Sequence, residues 1–263
     1  MFYLAENALR LVLYNTRYCT GNGWGYHLPF PFAATLRTTS GCAEAVNEYI
    51  SSLSPDLVGL VESDEGSWRC GGKSQPGDLA HRIGGRYVFS QKYRHSRLAG
   101  RIPILRHQGN AVITRLPLSG TTVHRLTKGI KNAVIETGFE KFTFLLVHLS
   151  IGEKARREQI MEIARIVRDI SGPVLLAGDF NVFHGQTELD PLIDAGLAKA
   201  GPALCMTFPS GNPRLGLDLV LHSKEISIVG FDVPDARFSD HLPVVCDFTL
   251  EMSPGSFGGA QWA

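Results

Sequence analysis

Two short motifs hold the side chains best suited to chemistry. Gly178-Asp-Phe-Asn181 sets a carboxylate and a carboxamide two residues apart. On an extended backbone both point to one side, where they can orient a water molecule and contact a phosphate oxygen. A local Asx turn accounts for the same two residues equally well. Ser239-Asp-His241, ahead of Leu242-Pro243, supplies an imidazole whose second ring nitrogen needs a partner. Asp218 is embedded in the apolar run Gly216-Leu-Asp-Leu-Val220 and is expected to be paired. A carboxylate–imidazole pair of this kind holds a histidine charged or correctly oriented near a phosphate, or serves only as a satisfied structural pair.

Asn15, Glu62, His148 and Asp179 each fall at or near the end of a strongly apolar run. Any one of them alone reads as a capping or turn residue. Together they imply strands whose ends share one rim, where residues distant in sequence converge. The runs are Ala8–Tyr14, Leu57–Val61, Phe142–Leu149 and Pro173–Ala177. Helical spacing places helices over Gly41–Leu53 and Glu153–Ile170, with a shorter one over Gly77–Ile83. Further strands are expected at Tyr87–Ser90, Asn110–Thr114, Thr121–Leu126, Ala133–Thr137, Leu217–His222, Ile226–Phe231 and Leu242–Leu250, separated by the Pro, Gly and short polar turns of antiparallel pairing. The span between Asp179 and Leu217 reads as loop, and Lys92–His107 as an inserted loop. Strands dominate, with long helices after the first strand and before the Asp179 strand. This order predicts a four-layer α/β/β/α sandwich of two mainly antiparallel sheets flanked by helices. It occupies residues 1–252 as one domain, with a flexible Gly- and Ser-containing tail over 253–263.

The ordered series Asn15, Glu62, Gly109-Asn110-Ala-Val-Ile-Thr-Arg115, Val147-His148-Leu149, Gly178-Asp-Phe-Asn181, Leu217-Asp218 and Ser239-Asp-His241 resembles the endonuclease/exonuclease/phosphatase superfamily. That superfamily includes DNase I-like nucleases, neutral sphingomyelinases and inositol polyphosphate 5-phosphatases. The resemblance implies a divalent-metal-dependent phosphoesterase. Glu62 would be the main Mg²⁺ ligand, with Asn15 and Asp240 near the metal and Mn²⁺ as a substitute. Hard oxygen donors suit such ions. Asp179 would position or deprotonate the attacking water, and Asn181 would bind the phosphoryl group. His241 paired with Asp218 would act as general acid/base, and His148 would hydrogen-bond a non-bridging oxygen. Asn110 and Lys128 complete the expected phosphate-binding set, Lys128 because Leu126-Thr-Lys-Gly129 resembles a turn of sphingomyelinase-like bacterial members. The first strand departs from the usual pattern with Leu13-Tyr-Asn15, and the late Asp follows Gly-Leu rather than Arg-Ile.

Composition narrows the partners. The 263 residues are 44% hydrophobic and 19% charged with a net charge of +1, which disfavours holding nucleic acid by bulk electrostatics. Phosphodiester hydrolysis is the expected reaction. A nuclease is the alternative, and a non-catalytic anion-binding domain the second alternative. Between Asp78 and Glu136 there is no acidic residue, while Arg82, Arg86, Lys92, Arg94, Arg97, Arg101, Arg106, Arg115, Arg125, Lys128 and Lys131 all fall there. That stretch is either a solvated basic face or an electropositive wall facing an anionic substrate. No aromatic platform is clearly suited to stacking bases, although Trp24, Trp68 and Tyr93 could serve. Five cysteines form no zinc-type spacing, and Cys19, Cys42 and Cys70 lie where a disulfide is possible. With no signal-peptide pattern and no membrane-spanning run, the expectation is a monomeric cytoplasmic protein.

Overall fold

The computed structural model describes residues 7–22, 39–92, 104–183, 185–202 and 205–250. The tail over 253–263, together with Trp24, Tyr93, Arg94, Arg97 and Arg101, lies outside them.

Two six-stranded sheets carry the fold. The first contains β1 (Leu9–Asn15), β2 (Leu57–Asp64), β3 (Arg86–Gln91), β4 (Gln108–Thr114), β11 (Ile226–Asp232) and β12 (Val244–Leu250), in the order β11-β12-β1-β2-β4-β3. The second contains β5 (Gly120–Arg125), β6 (Ala133–Gly138), β7 (Thr143–His148), β8 (Val174–Asp179), β9 (Leu197–Lys199) and β10 (Asp218–Ser223), in the order β5-β6-β7-β8-β10-β9. Each sheet is antiparallel except for one central parallel pair, β1 with β2 and β7 with β8. A parallel pair needs a crossover. Those crossovers run through the two long helices, α1 (Ser40–Ser52) and α3 (Glu153–Asp169).

Period-two alternation assigns the two faces of β1 and β2 to different layers. Leu11, Leu13, Leu57 and Val61 enter the core between the sheets, against Phe144, Leu146, Ala177 and Val220. Val12, Tyr14, Val58 and Leu60 face the other way, onto Val46 and Ile50 of α1 and Leu79 of α2 (Gln75–Ile83). In the second sheet Leu145, Val147 and Leu176 meet Ile160, Ile163, Ala164 and Val167 on one face of α3. The four-layer order α/β/β/α follows from strands buried on both faces. Among the described residues no helix is long and apolar enough to cross a membrane.

The expected elements are present with ends moved by one to three residues, apart from two that were read as loop. These are α4 (Asp190–Ile193) and β9, each too short to show a period. All five cysteines are thiols, so the possible disulfide among Cys19, Cys42 and Cys70 is not formed.

Candidate active site

The parallel pairs explain why the site exists where it does. Strands that run the same way end on the same rim, so Asn15 and Glu62 at the end of one pair share that rim with His148 and Asp179 at the end of the other. Asp179 is the hub. His148 is its register partner on β7 and Asp218 its partner on β10. Asn15, from the opposite sheet, donates its Nδ2 to Asp179 Oδ2 at 3.0 Å. The same oxygen lies 3.4 Å from His148 Nε2. Gly178 permits this convergence, because a Cβ there would sit 1.9 Å from the Val147 carbonyl oxygen.

Asn181 does not reach the site by extended alternation. The strand stops at Asp179, and Asn181 adopts φ +52°, a left-handed conformation Asn tolerates better than most residues. Its backbone N–H donates to Asp179 Oδ1 at 3.1 Å and its Nδ2 donates to the Leu149 carbonyl at 2.9 Å. The Asx turn is therefore real, and it is what presents the pair.

Glu62 is aimed by a β-bulge. Leu60 pairs with Ala111 and Ser63 with Gly109, leaving Val61 and Glu62 opposite Asn110 alone. Simple alternation would send Glu62 to the helix-covered face with Val58 and Leu60. The bulge, with Glu62 at φ +55°, turns it out of that face. Asn110, expected at the phosphate, accepts the Glu62 N–H on its Oδ1 at 3.2 Å and so holds the bulge. The Glu62 carboxylate then meets two ammonium groups on one oxygen, Lys92 Nζ at 3.3 Å and Lys131 Nζ at 3.9 Å from Oε1. Burial opposes its charge, but these lysines outweigh burial and hold the carboxyl below its ordinary value.

His241 Nδ1 lies 2.7 Å from Asp218 Oδ2, and the Thr207 hydroxyl donates to that same oxygen at 2.6 Å. Burial disfavours the imidazolium, yet the Asp218 charge and hydrogen bond, with Asp179 and Asp240 beyond, raise His241 to about 10. Asp179 moves in the complementary sense. Burial, with help from the Asp218 and Glu62 charges, lifts it to about 6. Asp240 is also raised, by burial first, although Arg17 Nε stands 3.3 Å from its Oδ2. His148 is held well below its ordinary value by burial and then by Lys131, Lys92 and His241, so its ring is neutral. Its Nε2 bonds Lys131 Nζ, while Nδ1 is buried without a partner.

Lys128 is exposed on the loop, and its carbonyl, accepting from Gln159 Nε2 at 2.8 Å, is the group that fastens that loop. The lysine brought to Glu62 and His148 is Lys131. Lys92, Arg17 and Thr207 were also missed as site residues. The acid-free stretch was a signal for the two lysines, and the position two after Asn15 was one for Arg17. Elsewhere in the stretch, among the described residues, Arg82 pairs with Glu44 and Arg115 with Asp56.

A divalent cation fits the donors present. Glu62, Asp240 and Asn15 offer oxygen atoms only, the set hard cations prefer, and Glu62 already draws positive charge. Asp179, Asp218 and His241 form a second group, with ligand atoms within 4.8 Å of one another. There His241 Nδ1 already bonds Asp218 Oδ2.

A family model described as Endonuclease/Exonuclease/phosphatase family matches residues 13–241. The UPF0294 protein VV2535 of Vibrio vulnificus (strain YJ016) is 28% identical over 142 residues, 52% of this chain and 46% of that protein. The uncharacterized protein YbhP of Escherichia coli (strain K12) is 26% identical over 168 residues, 55% of this chain and 64% of that protein. The match thus spans less than two thirds of either relative. Among solved structures, an endonuclease/exonuclease/phosphatase from Beutenbergia cavernae DSM 12333 superposes with TM-score 0.67 at 19% identity, covering 93% of this chain and 72% of that one. The mannosyl-6-phosphatase Bt3783 of Bacteroides thetaiotaomicron VPI-5482 also gives 0.67, at 18% identity over 92% and 100% of the two chains. The human Nocturnin catalytic domain with bound sulfate anion gives 0.66, at 17% identity over 92% and 94%. At these identities the superpositions establish the fold.

Proposed function

We propose that this chain, which belongs to the endonuclease/exonuclease/phosphatase family, is a divalent-metal-dependent phosphoester hydrolase that uses an activated water. The observation that carries the reading is one buried cluster. It sets a carboxylate of raised pKa, Asp179, beside a carboxylate-held imidazolium, His241–Asp218, with their ligand atoms within 4.8 Å. Two neighbouring groups whose surroundings push them to opposite protonation states are the signature of an acid and a base.

In this reading Asp179, with a value near neutrality, orients the attacking water and accepts its proton. The Asn181 carboxamide binds a phosphoryl oxygen. His241 stays protonated through the neutral range and stabilises the charge that develops as the ester bond breaks, or protonates the departing alcohol. Asp218 and Thr207 fix its ring, and the Phe208 ring packs 4.8 Å from it. Glu62, with Asp240 and Asn15, would hold Mg²⁺ or Mn²⁺, which when bound supplies Lewis acidity to the phosphoryl group. Hydrolase action on phosphoester bonds is general in the family. A cleft lined by Val182, Phe183, Met206, Arg214 and Leu219 adjoins Asn181 and Asp218 in the chain and offers room for the alcohol.

The test is hydrolysis of p-nitrophenyl phosphate and bis-p-nitrophenyl phosphate with Mg²⁺, Mn²⁺ or EDTA. Activity that needs the metal and drops at least ~100-fold in Asp179→Ala, the low end of a general base's contribution, is expected. Undiminished turnover in EDTA, or in Asp179→Ala, would refute the reading.

A further inference from the structure

Lys131 sits in a place that a surface lysine does not normally take. Its Nζ bonds His148 Nε2 and stands 3.9 Å from Glu62 Oε1, and its side chain is only 16% exposed. Burial pulls it below its ordinary value while Glu62 and Asp179 pull the other way. The loop that carries it is tied down by Glu162 at Thr127, by Asn132 at the Leu126 carbonyl, and above all by one buried amide. Gln159 of α3 is fully buried, donates its Nε2 to the carbonyls of Lys128 and Lys131 at 2.8 and 2.7 Å, and accepts the Ser150 N–H on Oε1 at 2.9 Å. Gly129, at φ +83°, lets the loop press on Ser150, since a Cβ there would come within 2.1 Å of Ser150 Oγ. The amide of Gln159 thus ties the Lys131 loop to the segment just after His148.

The partners of that ammonium define its use. The Glu62 carboxylate is the group that would hold a divalent cation in the function proposed above, on which this inference rests. A divalent cation on that carboxylate would add its repulsion to that between the two ammonium groups already at Oε1. Once a cation takes Glu62, Lys131 keeps a neutral imidazole as its hydrogen-bond neighbour, and the negative charges still acting on it are those of Asp179 and Asp240. The only new anion to enter is the substrate's phosphoryl group. His148 was expected to bind a phosphate oxygen, and in this structure an ammonium group stands on its Nε2.

We propose that Lys131 is a phosphoryl-binding residue: a resident counter-ion of Glu62 that is passed to a non-bridging phosphate oxygen when metal and substrate occupy the site. Lys92, bound to Tyr18 Oη at 2.9 Å as well as to Glu62, stays with that second partner. The assignment has an unusual consequence. Lys131 opposes metal binding in the absence of phosphate and favours phosphate binding in the presence of metal. A lysine that merely supports the fold would do neither.

The experiment uses the full chain, Mn²⁺ and inorganic phosphate, followed by calorimetry. In Lys131→Met, Mn²⁺ binding without phosphate is expected to be equal to or tighter than wild type. Orthophosphate binding to the Mn²⁺-loaded protein is expected to weaken roughly 10- to 100-fold, the range set by losing one charge-assisted hydrogen bond. Lys131→Arg should stay within about threefold of wild type, since it keeps a cationic donor, and Lys141→Met, at an exposed lysine, should change nothing. If Lys131→Met does not fold, Lys131→Gln gives the same comparison. Wild-type phosphate affinity in the uncharged variant, or weakened Mn²⁺ binding, overturns the proposal. A wild type that binds phosphate through Lys131 but hydrolyses no ester supports this inference and refutes the parent reading.

Discussion

Replacing Asp218 by Asn tests the acid–base pair without changing its shape. The Asn carbonyl oxygen can take the place of Oδ2 and still accept from His241 Nδ1 and Thr207 Oγ1, which lie at 2.7 and 2.6 Å. Its NH₂ then occupies the place of Oδ1, a buried atom with no partner. Leaving that donor unsatisfied costs about 1–3 kcal/mol of stability. The larger effect is on charge. The rise of His241 from 6.5 to about 10 corresponds to roughly 5 kcal/mol in favour of the imidazolium, at ~1.36 kcal/mol per pH unit. Asp218 supplies the largest attractive part, and burial opposes it. In Asp218→Asn the ring should therefore titrate at or below its ordinary ~6.5. At pH 8 that lowers the protonated fraction from near unity to about 3%.

Stability should follow the same sign. A group whose folded value is raised contributes fully below its unfolded value and loses that contribution as pH rises through the folded one. Metal-free wild type should therefore lose stability between pH 6.5 and about 10, and Asp218→Asn should show a flatter profile there. Imidazole NMR titration from pH 5 to 11, paired with urea melts, measures both. With Mg²⁺ present, kcat/KM at pH 8 should drop by ~100-fold or more, the usual weight of a general acid. If the His241 ring in Asp218→Asn still titrates above 9, the pair is not what charges it, and the acid assignment fails.

Two further predictions concern the supports of the site. Gln159→Leu strips three hydrogen bonds from a fully buried amide. It should cost about 2–4 kcal/mol in denaturant unfolding and lower phosphate affinity in the direction of Lys131→Met; a melt within ~0.5 kcal/mol of wild type would contradict the clamp. Glu188 holds Arg156 of α3 by two contacts of 2.8 Å, and both side chains are buried. Glu188→Ala should destabilise by ~3–5 kcal/mol because it strands a buried guanidinium. The double variant Arg156→Met/Glu188→Ala should recover part of that loss, and no recovery would argue against charge desolvation as the cause.

Much of the fold can be read from the chain alone, for a physical reason. Strands such as Leu57–Val61 and Val174–Ala177 are apolar on both faces, which requires cover on both sides and hence four layers. The rim was also legible, because an abrupt change from apolar to polar, as at Tyr14–Asn15 or Val147–His148, marks where a strand leaves the core. What could not be read were features set by contacts between distant segments. The bulge at Glu62 depends on Asn110, 48 positions away. The choice of Lys131 over Lys128 depends on how Gln159 grips the loop backbone, and neither spacing nor composition distinguishes lysines three residues apart.

Residue type and order thus determined that carboxylates, carboxamides and imidazoles would meet on one rim. Only tertiary packing decided their charge states. Asp179 is raised because it is buried between Asp218 and Glu62, and His241 because it is surrounded by Asp218, Asp179 and Asp240. The first effect is burial with like charges added to it, and the second is attraction that overcomes burial.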